Sequence, residues 1–118
     1  MRIEVLKSKI HKATVTETRI DYHGSISIDP ELYRKAGFFP HEKVDVFNIN
    51  NGARFTTYII DGKKGEICIN GAAARLAEPG DRVIIVSYAS ISPEEAENWH
   101  PTVALMDDKN NIEEIIKT

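Results

Sequence analysis

Apolar and polar residues alternate with a period of two over most of this chain, which predicts half-buried strands rather than helices. Ile3 and Val5 alternate with polar neighbours, and so do Ala13, Val15 and then Ile20. Ser25-Ile26-Ser27-Ile28, Val44-Asp45-Val46-Phe47-Asn48-Ile49 and Glu66-Ile67-Cys68-Ile69 carry the same pattern. Arg54 to Ile60 is aromatic and β-branched, and Thr102 to Met106 is a last short strand. Arg82 to Ile91 is a longer apolar run, which suits a central strand covered on both faces.

Turn chemistry divides these runs. Asn51-Gly52 and Asp61-Gly62 are favoured hairpin pairs, because tight primed turns need positive φ at their centre. They predict one hairpin over Val44–Tyr58 and another over Thr57–Ile69. Helices are short. Asp29-Pro30-Glu31 is an N-cap with proline in the first turn, and Gly37 is the stop. Gly71 to Leu76 suits one or two turns, and Ser92-Pro93-Glu94-Glu95 is a capping box. In the tail, Asn111 to Lys117, the residues Ile112, Ile115 and Ile116 fall on one face of a helix. Many short strands with close turns favour a small closed β-barrel, with residues 1–118 as one domain.

Composition narrows the partners. A net charge of -3 gives no basic stripe for nucleic acid. The longest purely aliphatic run, Val83 to Val86, is too short to span a bilayer, and the start has no signal-peptide core. The single cysteine, Cys68, excludes an intrachain disulfide and reads as a small strand residue. No His/Cys/Asp cluster has metal-ligand spacing. A cytoplasmic protein without metal, membrane or nucleic acid is expected.

Three blocks carry the chemistry: Tyr22-His23-Gly24-Ser25, Asn51 to Tyr58, and Asn70-Gly71-Ala72-Ala73-Ala74. In content and spacing they resemble the pyruvoyl-dependent L-aspartate α-decarboxylases, from about Lys9 to Pro101. At a Gly-Ser junction the serine hydroxyl can attack the preceding carbonyl and shift the acyl group from nitrogen to oxygen. β-Elimination of that ester and hydrolysis then leave a pyruvoyl group at position 25. Glycine suits the leading position, having no Cβ to obstruct attack. A rate of ~10⁻⁴ per second corresponds to a barrier of about 23 kcal/mol. Strain contributes only ~1–3 kcal/mol and an oxyanion donor about 3–4 kcal/mol, so both are needed.

The resemblance implies a six-stranded double-psi β-barrel, cut between residues 24 and 25, that converts L-aspartate to β-alanine and CO₂ for pantothenate synthesis. Its cofactor is a covalent pyruvoyl group from Ser25, without metal or pyridoxal phosphate. A pyruvoyl carbonyl is an electron sink that captures the substrate amine. By the same resemblance Thr57 assists cleavage and contacts substrate, and Tyr58 returns the proton. A phenol is protonated near neutral pH and able to donate. Arg54, with its planar fork, and Lys9 are the carboxylate clamps. Asn70, Gly71, Ala72 and Ala73 line the substrate, the last three through backbone N–H groups at a helix start. His11, Tyr22 and Phe47 support the site. The family pattern places an acidic residue where this chain has His23 and tryptophan where it has Phe47, which bears on maturation rate and pocket shape. A homotetramer with sites between subunits is implied, with a maturation factor as an optional partner. Two rivals remain at this stage. One is a non-enzymatic barrel binding module related to swapped-hairpin regulators; the acidic charge weighs against DNA. The other is a self-cleaving hydrolase with a free N-terminal serine.

Overall fold

The strands that period-two patterning predicts are the framework of the protein, here described over residues 1–118 in a computed structural model. In chain order they are β1 (Ile3–Thr14), β2 (Glu17–Arg19), β3 (Ser25–Ile28), β4 (Lys43–Asn48), β5 (Arg54–Asp61), β6 (Ile67–Asn70), β7 (Arg82–Ile91), β8 (Thr102–Met106) and β9 (Ile112–Lys117). Two α-helices, α1 (Pro30–Lys35) and α2 (Pro93–Ala96), and a 3₁₀ helix over Gly71–Leu76 complete the chain. Asp29 caps α1 by accepting from the Glu31 amide at 2.9 Å, and the Ser92–Glu95 capping box starts α2.

The strand order is β2-β6-β3-β5-β4-β7-β1-β8-β9. Its geometry follows from one break in the chain. β1 and β2 are a single run interrupted only at Val15 and Thr16. There the Val15 amide donates to the Asp81 carbonyl, beside β7, and the Thr16 amide donates to the Ile67 carbonyl of β6, each at 2.8 Å. One stretch of chain thus borders both ends of the series β6-β3-β5-β4-β7. This closes a ring of six members, and closure removes exposed strand edges. β8 and β9 extend the sheet outside that ring, beside β1. The result agrees with the small six-stranded β-barrel expected, with β8 and β9 added beside it.

Alternation decides what fills the ring. Ile10, Ile26, Ile28, Val46, Ile59, Ile67, Ile69 and Ile85 are fully buried and share one core cluster with Tyr33 and Phe38. Each such side chain contributes roughly 1.5–3 kcal/mol on leaving water. Tyr33 ties α1 to the end of β5 through its hydroxyl, which donates to Asp61 at 2.5 Å.

The hairpin over Val44–Tyr58 is present, with Val44 opposite Thr57 and Phe47 opposite Arg54. Gly52 holds a φ of +75° in its loop. The second expected hairpin, Thr57–Ile69, is not. β3 lies between β5 and β6, parallel to the first and antiparallel to the second. Residues Ser25–Ile28 are buried throughout, and a strand so covered takes partners on both edges. The turn sits at Lys63–Glu66, with Gly65 at positive φ, rather than at Asp61-Gly62. The expected C-terminal helix is also corrected: β9 pairs antiparallel with β8, from Thr102 opposite Lys117 to Met106 opposite Ile112. β8 already gives one edge to β1, and the tail satisfies the other. A register shift between Leu105 and Met106 accommodates the uneven isoleucine spacing. Ile20, expected on a strand, stands half-exposed in the turn after β2.

Candidate active site

β3 and β6 each put isoleucine toward the core and a small polar residue on the other face, as alternation requires. In the antiparallel register Ser25 opposes Asn70 and Ser27 opposes Cys68. These four residues form a polar quartet that is buried, with none more than 6% exposed. The Asn70 amide donates from Nδ2 to Ser25 Oγ at 3.0 Å and to Ser27 Oγ at 2.9 Å. The Cys68 thiol donates to Asn70 Oδ1 at 3.2 Å, and the Ser25 hydroxyl donates to the His23 carbonyl at 3.0 Å. Burial pushes the Cys68 thiol up to about 11, so it keeps its proton at neutral pH.

The chain arrives at this quartet abruptly. Residues 20–24 form an exposed turn, whereas Ser25 is 1% exposed. The Gly24-Ser25 peptide therefore spans the boundary between solvent and a buried strand. Gly71, at the end of β6, holds a φ of +77°, and a Cβ there would lie 2.6 Å from the Gly24 Cα and 2.8 Å from its nitrogen. Only glycine permits that approach. The 3₁₀ helix that follows buries Gly71 and Ala74, leaves Ala72 exposed and packs Ala73 on the core.

The other expected residues divide into two groups. Tyr58 and Thr57 lie on β5, the parallel neighbour of β3. β3 and β5 run parallel with Ile26 opposite Ile59. Tyr58 and Thr57 directly precede Ile59 on β5, as Ser25 and Gly24 directly precede Ile26. Tyr58 is 40% exposed on the outer face with Arg54 and Thr56, while Thr57 is half-buried on the inner face with Phe55.

Lys9, His11, Phe47 and Arg54 are displaced from the junction. His11, Ile84, Phe47 and Arg54 form one row across β1, β7, β4 and β5. Lys9 shares the next row with Val86, Asp45 and Thr56. Each row spans three strand spacings, about 14 Å. The Arg54 guanidinium lies over the Phe47 ring, 4.7 Å from its centroid, which directs the cation along the outer surface. His11 has a buried Nδ1 without a partner, and burial together with Lys9, Lys12 and Arg82 holds its pKa below the usual imidazole value. Tyr22 and His23 stack edge to face, 5.5 Å apart, in the exposed turn. Two surface clefts lie elsewhere. One of about 550 Å³ is lined by Lys35, Lys64 and Lys109 among others, and one of about 350 Å³ by Lys43, Asp45 and Tyr88 among others. Neither includes Ser25.

Sequence reasoning missed Ser27 and the polar contact of Cys68. The signal was present: the matched alternations Ser-Ile-Ser-Ile and Ile-Cys-Ile-Asn each set small polar residues on one face. Pairing the two strands required the tertiary structure.

Fold and site together define a class: a small β-barrel with a buried serine, directly after glycine, at the start of a ring strand. The comparisons make this specific. The profile of the family described as "Aspartate decarboxylase" matches residues 1–113, and the chain belongs to that family. It is 58% identical over 110 residues to the aspartate 1-decarboxylase of Campylobacter hominis, covering 93% of this chain and 96% of that one. It is 53% identical over 114 residues to that of Bdellovibrio bacteriovorus (97% and 92% covered) and 56% identical over 114 residues to that of Caldicellulosiruptor bescii (95% and 89% covered). Nothing in the fold or among these relatives favours a non-enzymatic binding module.

Proposed function

We propose that this protein cuts its own chain between Gly24 and Ser25 and then decarboxylates L-aspartate to β-alanine and CO₂, the β-alanine serving pantothenate synthesis. The observation that carries the reading is the junction itself. An exposed glycine leads into a buried serine whose Oγ accepts a hydrogen bond from the Asn70 amide. In maturation Ser25 Oγ bonds to the Gly24 carbonyl carbon, and the peptide C–N bond breaks to free the Ser25 amine. Loss of the Ser25 α-proton then expels the Gly24 carboxylate, and hydrolysis with release of ammonia leaves a ketone at residue 25. Thr57 assists this step, a role supported by its place on β5, the parallel neighbour of β3.

The residues present suit a pyruvoyl group. Position 25 carries the hydroxyl required, is dry, and faces an amide donor. The small residue demanded at 71 leaves the Gly24 backbone room against it. When formed, the group supplies an electron-withdrawing carbonyl that captures the substrate amine and takes up charge as CO₂ leaves. Asn70 Nδ2 and the backbone of Gly71, Ala72 and Ala73 orient polar atoms at position 25. Arg54 and Lys9 hold the carboxylates, and the Tyr58 hydroxyl returns a proton to the carbon that loses CO₂. Lys9 comes from a neighbouring subunit of a homotetramer, a reading supported by its place on β1, which is not a sheet neighbour of β3. His11, Tyr22 and Phe47 shape the wall. The protein acts in the cytoplasm, and a maturation factor is an optional partner.

Intact mass of the purified protein tests the reading. Two fragments, residues 1–24 and a remainder blocked to N-terminal sequencing, are expected, with CO₂ release from aspartate. A Ser25→Ala variant that decarboxylates aspartate as fast as the parent would overturn it.

A further inference from the structure

We propose that Cys68 is a positioning residue for the self-processing of Ser25, acting through the side-chain amide of Asn70. The inference rests on the cleavage reading above. It begins with a count of hydrogen-bond capacity around a fully buried amide.

The Ser25 hydroxyl has one proton, and it goes to the His23 carbonyl. Toward Asn70 the Ser25 oxygen therefore offers only lone pairs, so the amide must present its NH₂ to it. The same NH₂ donates to Ser27 Oγ. This orientation turns Asn70 Oδ1 the other way, onto Cys68, and the thiol there is the donor that Oδ1 finds. A buried carbonyl oxygen without a donor is costly, and an amide can relieve that cost by rotating by half a turn. Rotation would place Oδ1 against a Ser25 oxygen whose proton is committed elsewhere. The thiol therefore selects the amide orientation that leaves the Ser25 hydroxyl directed and its proton on the His23 carbonyl. Because burial keeps the thiol protonated at neutral pH, the donor is present under ordinary conditions. Cys68 does not contact the bond that breaks. Its effect passes through Asn70.

The test compares substitutions that keep or remove the donor. Full-length chains are made in a cell-free translation system, and conversion of the intact chain is followed by mass. Cys68→Ser keeps a proton to donate and cleaves within about threefold of the parent. Cys68→Ala and Cys68→Val lack the donor and cleave at least about tenfold more slowly. The same three substitutions in an uncut Ser25→Ala background give melting temperatures that separate folding from chemistry, and all three stay folded. Cleavage of Cys68→Ala or Cys68→Val at the parental rate overturns the proposal. So does a Cys68→Ser variant as slow as Cys68→Ala, since packing alone would then account for both. Should Cys68→Ala fail to fold, the Cys68→Ser and Cys68→Val rates decide by the same criteria. An intact chain that never cleaves in the parent counts against the processing reading instead, and so separates the two failures.

Discussion

At the scale of single residues, backbone geometry at Gly71 is as demanding as the chemistry beside it. Its positive φ and the Gly24 backbone 2.6 Å from a notional Cβ leave no room for a side chain. Gly71→Ala is expected to lower stability by at least about 2 kcal/mol and to slow cleavage as well. Urea midpoints in a Ser25→Ala background, read alongside cleavage rates, check both effects. His11 gives a pH prediction. Burial lowers its pKa in the folded chain below 6.5, so the unfolded chain binds the proton first. The stability that neutral His11 provides is complete above about pH 6.5 and is lost as pH falls toward the folded value. His11→Gln should therefore lose less stability than the parent between about pH 7 and about pH 5. Equal losses, measured by urea unfolding, would contradict this account.

At the scale of elements, the β8–β9 connection shows how one residue can fasten three segments. Asn110 adopts a φ of +62° and is 8% exposed. Its Oδ1 accepts from the Thr14 amide at 2.7 Å, and its Nδ2 donates to the carbonyls of Thr14 at 2.9 Å and Gly65 at 3.1 Å. The clasp joins the end of β1, the turn before β6 and the final hairpin. Asn110→Ala should cost about 2–3 kcal/mol, because it removes these bonds and leaves an alanine in the left-handed region. Asn110→Gly should recover only the backbone part, about 1 kcal/mol, in the same denaturation assay. The connection also shows where periodicity misleads. Ile112, Ile115 and Ile116 satisfy a helical spacing, yet the open edge of β8 captures them as a strand.

At the scale of the whole molecule, the Gly24-Ser25 junction opens β3, whereas the row that holds Lys9 crosses β1, β7, β4 and β5. Ser25 and Asn70 are paired on β3 and β6 and Tyr58 lies on β5 beside β3, while Lys9 lies on β1 between β7 and β8. If Lys9 serves a neighbouring subunit's Ser25, as proposed above, the assembled mass in light scattering should be close to four of these 13.3 kDa chains. Complementation is a sharper test. Lys9→Ala and Ser25→Ala chains are each expected to lack activity, whereas unfolding and refolding them together should restore part of it. Mixed assemblies with no activity would place Lys9 in the same chain as the Ser25 it serves.

Local patterning was sufficient for most strands, for both capped α-helices and for the residue types a Gly-Ser junction requires. Period-two alternation and cap chemistry act over a few residues, and those residues are adjacent in the chain. The same locality explains the failures. Whether β5 pairs with β6 depended on β3, which lies more than thirty positions before Ile59, and the fate of the tail depended on an edge that β1 left open. The quartet around Ser25 is the clearest case. Each of its four side chains is set on the correct face by its own strand, but the hydrogen bonds that direct the hydroxyl exist only because folding lays Ser25 against Asn70 and Ser27 against Cys68.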